Sequence, residues 1–138
     1  MLPKYHILLG FLFTILLKLA TDLDNVALGI IFLSTFLIDV DHYLIYVLRK
    51  KDFDFDNAYD WFIELEKKDK KLKFLYVFHT LEFFIMILIL GLYFDFFNYV
   101  LIGFLFHLSF DIVKAIAIKR WNRYSSIIYF IIKHRKNL

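Results

Sequence analysis

The residues best suited to chemistry lie where a chain can least easily carry them. The stretch Phe36-Leu37-Ile38-Asp39-Val40-Asp41-His42-Tyr43-Leu44 puts two aspartates and a histidine inside an apolar run from Val26 to Leu48. An aspartate in the middle of such a run costs about 2.5–3.5 kcal/mol when the helix enters a bilayer. A cluster of ionisable groups there needs an offsetting partner. A divalent metal ion is the most direct one, because carboxylate and imidazole are among its ordinary ligands. A buried ion pair between helices is the alternative. The pairing recurs along the chain: Asp39 and His42 are i, i+3, His79 and Glu82 are i, i+3, and His107 and Asp111 are i, i+4. On an α-helix each of these spacings puts both members on one face. A carboxylate and an imidazole from each of several helices is how bundles build di-metal sites, so one or two ions are expected, and His6 adds a further imidazole near the N-terminus.

Asp41 fits less simply. At 100° per residue it points about 160° away from Asp39 on an ideal helix. Either the helix is distorted there, or Asp41 orients a ligand histidine. Gly10 follows His6 by four residues and Gly103 precedes His107 by four, so both could allow close helix approach on the polar face. Lys114, three residues after Asp111, could meet an anionic head group or extend its charge toward the membrane surface. The chain has no Cys, so any metal is held by nitrogen and oxygen; zinc is expected first, manganese or iron next.

These groups must be positioned by long apolar helices. The chain has 138 residues, 61% of them hydrophobic and 21% aromatic, with only 4 Gly and 1 Pro. The length fits one domain, 1–138. Four apolar runs, about 5–20, 26–48, 72–94 and 96–118, predict an all-α fold: an integral membrane four-helix bundle. No small-residue cleavage site follows the first run, which reads as a retained span. The turns at 21–25 and 95–98 carry no Lys or Arg, whereas Arg49–Lys73 carries eight and Lys119–Leu138 six. Excess positive charge marks the cytoplasmic side, so both termini and the middle loop are expected in the cytoplasm of a multi-pass cell-membrane protein. Within the loop, Asp54 or Asp56 can cap an amphipathic helix carrying Tyr59, Trp61, Phe62, Ile63, Leu65 and Glu66. It would lie at the interface or over the bundle, a solvated charged loop being the other reading. Tyr124–Ile132 is too short to span and reads as an interfacial segment. Clustered basic residues fit membrane lipid with anionic head groups better than nucleic acid, which is not an expected partner; the oligomeric state is not legible.

Counted inward from the cytoplasmic ends, His42, His79, Glu82, Asp111, Asp39 and His107 all fall about 9–18 Å deep. His6 sits at the cytoplasmic mouth. The outer half keeps only Thr14, Lys18, Ser34 and Thr35, too few polar groups for a transport path.

Taken in order, these motifs resemble the membrane-bound metal-dependent hydrolases of bacteria and archaea, a family that includes a LexA-binding inner-membrane protein. Tyr5-His6-Ile7 is similar to the family's N-terminal histidine, and Ile38-Asp39-Val40-Asp41-His42 to its Pro-Asp-x-Asp-His signature, with Ile38 in place of proline. Gly103-Phe104-Leu105-Phe106-His107-Leu108-Ser109-Phe110-Asp111 is similar to its Gly-x-x-x-His-x-x-x-Asp signature. Of a third signature, His-Arg-Gly-x-Thr-His-Ser, only His79-Thr80 stands for the final His-Ser, and Glu82 appears as an extra acid. The arginine that would meet a phosphate is absent. The resemblance implies a metal site more directly than a reaction. The expected ligands are His6, Asp39, His42, His79, His107 and Asp111, with Asp41 or Glu82 as general base and Lys114 toward the substrate. Two functions follow: a hydrolase acting on a phospholipid or isoprenoid phosphate near the cytoplasmic face, or a non-enzymatic protein with a structural metal or ion-pair core.

Overall fold

The computed structural model describes residues 3–67, 75–117 and 126–135. Among them the regular elements are all helical: α1 (Pro3–Ala20), α2 (Asn25–Leu37), α3 (Val40–Lys50), α4 (Phe55–Lys67), α5 (Leu81–Gly91), α6 (Asp95–Ala117) and α7 (Ile127–Arg135), with a 3-10 turn at Val77–His79. The all-α expectation holds. Helix starts follow side-chain chemistry. The amide of Ala27 donates to Asp24 Oδ1 at 2.7 Å, closing the first turn of α2, and those of Asp56 and Asn57 donate to Asp54 Oδ1 at 2.8 and 3.0 Å, closing that of α4. Thr80 does the same for α5 through the amide of Phe83. Each such cap satisfies amides that a helix leaves without an internal acceptor.

Helix α6 is the spine, packed along α2 on one side and α5 on another, with α1 laid against α2. Two glycines set how closely these helices meet. A Cβ added at Gly103 would lie 2.6 Å from both the Ile31 carbonyl and the Ser34 Cβ, and one added at Gly10 would lie 2.1 Å from Thr35 Oγ1. Helices α1 and α6 therefore press on the same end of α2. Each glycine is one helical turn from a histidine, His6 or His107, so the close approach carries both imidazoles toward α2.

Two expected spans differ from regular helices. The run 26–48 is two helices bent by 42° at Ile38–Asp39. The amide of Asp39 bonds to the Phe36 carbonyl and that of His42 to the Asp39 carbonyl, three residues back in place of four, which tightens and breaks the ladder. The run 72–94 becomes helix only at Leu81, giving α5 11 residues, about 16 Å; positions 72–74 lie outside the described residues. The first run starts two residues earlier than expected, at Pro3, and the fourth occupies Asp95–Ala117. By length and composition Asp95–Lys114 is the one described helix able to cross a membrane alone, and α2 with α3 form a second candidate if taken as one broken span.

Among the described residues the interior mixes apolar side chains, Ile31, Ile38, Ile87 and Phe104 among them, with polar ones. His6, Ser34, Thr35, Asp41, His79, Thr80, His107 and Asp111 are buried, while Leu8, Phe11, Leu16, Leu19, Leu81 and Leu88 are about half exposed or more. Helix α4, an expected amphipathic loop helix, lies over α3, with Trp61 on Tyr46 and Phe62 edge-on to His42. Tyr46 donates its hydroxyl to Asp52 at the α3–α4 turn, and that bond holds the Asp52 carboxyl below its ordinary range.

The glycine contacts give a matched pair of tests. At Gly29 an added Cβ meets nothing within 4 Å, so Gly29→Ala should be neutral or stabilising by up to about 1 kcal/mol. Gly103→Ala must displace backbone and should cost about 1–3 kcal/mol. Thermal unfolding in detergent, read side by side, checks the difference; equal midpoints would show that α2 and α6 do not meet at Gly103.

Candidate metal centre

Both backbone irregularities lie at the same place. The break after α2 turns Asp39 and Asp41 into the interior together, which a continuous helix could not do. The 3-10 turn at Val77–His79 brings His79 opposite them. From α6, His107 and Asp111 project to the same point one helical turn apart. The result is a set of four donor atoms, from Asp39, His79, His107 and Asp111, all within 4.8 Å of one another. His107 Nε2 stands 3.6 Å from Asp39 Oδ1 and 3.5 Å from Asp111 Oδ2. His79 Nε2 stands 3.7 Å from Asp39 Oδ1 and 3.9 Å from Asp111 Oδ2.

Those separations bear on both readings of the cluster, metal site and ion pair. A charge-assisted N–H···O bond is about 2.7–2.9 Å long, so none of the four is one. Two donors at about 2.0–2.1 Å from a tetrahedral ion lie about 3.3 Å apart, close to the observed spacing. The Nε2 atoms of His6, His79 and His107 are buried with no hydrogen-bond partner. Such orphaned atoms are rare in an interior, and here they point at carboxylates from a distance that an ion bridges.

The outer nitrogens of the His79 and His107 rings have partners. His107 Nδ1 donates to the carbonyl of Thr35 at 2.7 Å. A carbonyl only accepts, so Nδ1 carries a proton, and in the neutral ring this leaves the lone pair on Nε2. His79 Nδ1 stands 3.3 Å from Asp41 Oδ2, which also accepts the amide of Phe78 at 3.1 Å. This carboxylate–histidine arrangement is what fixes the tautomer and ring angle of metal-binding histidines. Asp41 therefore answers both alternatives posed by its spacing: the helix is broken, and the carboxylate orients a histidine. The described residues thus form a buried carboxylate–imidazole group able to hold a divalent ion.

The remaining expected residues are distributed as follows. His42 Nδ1 lies 2.8 Å from Asp41 Oδ1 and 3.4 Å from Asp39 Oδ1, and its ring stacks on Tyr76 at 4.0 Å. Asp41, His42 and His79 form a second possible donor group, in which the Asp41 carboxylate already pairs with His42 Nδ1 at 2.8 Å and faces His79 Nδ1 at 3.3 Å. His6 stacks on His107 with centroids 3.9 Å apart and reaches Asp111 Oδ1 at 3.8 Å. Lys114 is half-buried on α6, one turn beyond Asp111. Glu82 is engaged elsewhere. Its carboxylate accepts from the hydroxyl of Ser126 and from the amides of Ile127, at 3.0 Å, and Ile128, at 3.3 Å, capping the start of α7. Since His79 precedes α5, the i, i+3 rule does not pair it with Glu82. The Thr35 carbonyl and the Phe78 amide were beyond side-chain reasoning, because backbone groups leave no mark in a sequence pattern.

Comparisons with protein-family models, with curated proteins and with solved structures found no match for this chain.

Glu82→Ala should release the start of α7. Hydrogen exchange at the amides of Ile127 and Ile128 should accelerate at least about fivefold, the loss expected when a cap worth about 1 kcal/mol or more is removed. Unchanged exchange would show that Glu82 does not hold this helix.

Proposed function

We propose that the chain is a multi-pass protein of the cell membrane with both termini cytoplasmic, and that its cluster binds zinc and hydrolyses a phospholipid or isoprenoid phosphate. The membrane reading is supported by the apolar exterior around a partly polar interior, by the length of Asp95–Lys114 and by the loop-charge asymmetry. Shorter helices such as α5 would complete a four-helix bundle by packing on α6 while covering only part of the bilayer. Irregular backbone at membrane depth is tolerated where protein buries it, as around Asp39 and His79. The resemblance to membrane-bound metal-dependent hydrolases agrees with this reading through His6, Asp39, Asp41, His42, His107 and Asp111.

One observation carries the metal reading: the orphaned Nε2 atoms of His79 and His107 face Asp39 and Asp111 at spacings suited to an ion. Zinc suits two imidazoles with two carboxylates; manganese or iron suit the same oxygens. When bound, the ion would supply Lewis acidity toward a phosphoryl oxygen and toward water. The chain's own residues do the rest. Asp39 is the one partly exposed member of the four, so water and substrate reach the cluster over its carboxylate. Leu37 and Val40, beside it, are exposed apolar residues, which suits an ester carrying a hydrocarbon chain. Asp41 keeps His79 in its working tautomer, and with its oxygens already taken it acts through that ring. Lys114 would meet the anionic group of the substrate or of a neighbouring lipid.

A structural core is the second reading. Four protein donors complete a closed tetrahedral shell, as structural zinc sites do, and the missing His-Arg-Gly removes a phosphate partner. Substitution separates the two. In a hydrolase, Asp39→Asn should lower metal-dependent turnover of lipid phosphates by about 100-fold at constant fold, since a lost negative charge weakens ion binding and geometry together. In a structural core the same change should leave no activity to lose and should cost roughly 3–5 kcal/mol of stability. A chelator should give the matching split, and absence of turnover over a panel of phosphorylated lipids with added zinc or manganese would exclude the hydrolase. The topology has its own check: the chain has no Cys, so Asn25→Cys should react with an impermeant reagent added outside and Asn57→Cys should not. The reverse pattern would invert the protein.

A further inference from the structure

His6 is left over by the four-donor set. It is 2% exposed and its Nε2 has no hydrogen-bond partner, yet it falls outside the group whose atoms lie mutually within 4.8 Å. Donors on one ion at about 2.0–2.2 Å can be no further apart than about 4.4 Å. An ion shared by Asp39, His79, His107 and Asp111 is therefore beyond the reach of His6 as it stands. What His6 does face is the other oxygen of the shared aspartate: its Nε2 is 3.8 Å from Asp111 Oδ1, while His79 and His107 face Oδ2. The His6 and His107 rings are stacked at 3.9 Å with 15° between their planes. Two parallel imidazoles thus address the two oxygens of one carboxylate.

We infer that Asp111 bridges two divalent ions, the second held by His6 Nε2 and Asp111 Oδ1 with water completing its shell. This rests on the metal reading above and deepens it. Two ions about 3.5–4 Å apart are an arrangement that clamps both the attacking and the leaving oxygen in phosphoryl transfer, so a pair here suits the phosphate ester already proposed as substrate. With two protein donors against four, the second ion is the weaker and exchangeable one. His6 comes from α1, which reaches the cluster through the Gly10–Thr35 contact. The second position is thereby tied to the docking of the first helix, whereas the first position draws its ligands from Asp39, His79 and α6.

The test uses the full chain in detergent, stripped of metal and titrated with zinc and, separately, with manganese. Wild type should take up two equivalents by equilibrium dialysis, the second at least tenfold more weakly. Its dimanganese form should give the exchange-coupled electron paramagnetic resonance signal of two ions sharing a carboxylate. His6→Gln should keep the tight equivalent and lose both the weak one and the coupled signal. One equivalent in wild type, or two in His6→Gln, would overturn the bridge. No uptake by wild type at all would overturn it too, and would also remove the metal reading on which it depends, so the two failures are distinguishable. If His6→Gln does not fold, the wild-type manganese signal decides alone: coupled ions support the bridge, and isolated ions refute it.

Discussion

Carboxylates and imidazoles closed inside an apolar bundle must neutralise one another or find a cation, and the rest of this structure is arranged around that requirement. Asp41, Asp111, His6, His79 and His107 are all buried. An uncompensated charge in such surroundings costs several kcal/mol. The architecture gives up regular helix to bring these groups together. Helix α2 stops at Leu37 and α3 resumes at Val40 with a 42° bend, and α5 is preceded by a 3-10 turn. Both interruptions lie against the same cluster. Gly10 and Gly103 then let α1 and α6 close on α2 at Ser34 and Thr35, which seats the His107 ring on the Thr35 carbonyl. Close packing, helix breaks and ring tautomers are three consequences of one need.

The distances favour the cation that we propose. An ion-pair core would draw protonated imidazoles onto the carboxylates until each N–H···O reached about 2.7–2.9 Å. Asp41 and His42 do this, at 2.8 Å. The inner set does not: its four separations run from 3.5 to 3.9 Å, and the nitrogens involved have no other partner. The contrast within one cluster is informative, because the same residue types collapse together in the outer layer and stand apart in the inner one. A cation between the inner four would account for both their spacing and their lack of partners.

Legibility in the sequence varied with the regularity of the backbone. His107 and Asp111 lie on the unbroken α6, so their i, i+4 spacing led directly to two neighbouring donors. Asp39 and His42 were legible as a pair, but His42 sits closer to Asp41 because the break rotates that carboxylate inward. His79 and Glu82 were read as one helix face; the helix begins after His79, so the 3.6-residue period never applied, and Glu82 caps α7. Ser34 and Thr35 were assigned to the outer half by counting along a straight helix. In the structure the Thr35 carbonyl accepts from His107 Nδ1 and Ser34 packs against Gly103, contacts that counting along a helix does not supply. Apolar runs announced where helices would be, whereas chain breaks driven by buried polar groups have no periodic signature.

The central claim is that the four inner donors surround an ion. A crystal structure of the zinc-loaded protein, with data collected on both sides of the zinc absorption edge, tests it most directly. An anomalous difference peak is expected between Nε2 of His79 and His107, Asp39 Oδ1 and Asp111 Oδ2, at about 2.0–2.2 Å from each. No peak there, with the imidazoles closed onto the carboxylates at hydrogen-bond length, would mean that the cluster is an ion-pair core and that no metal is held.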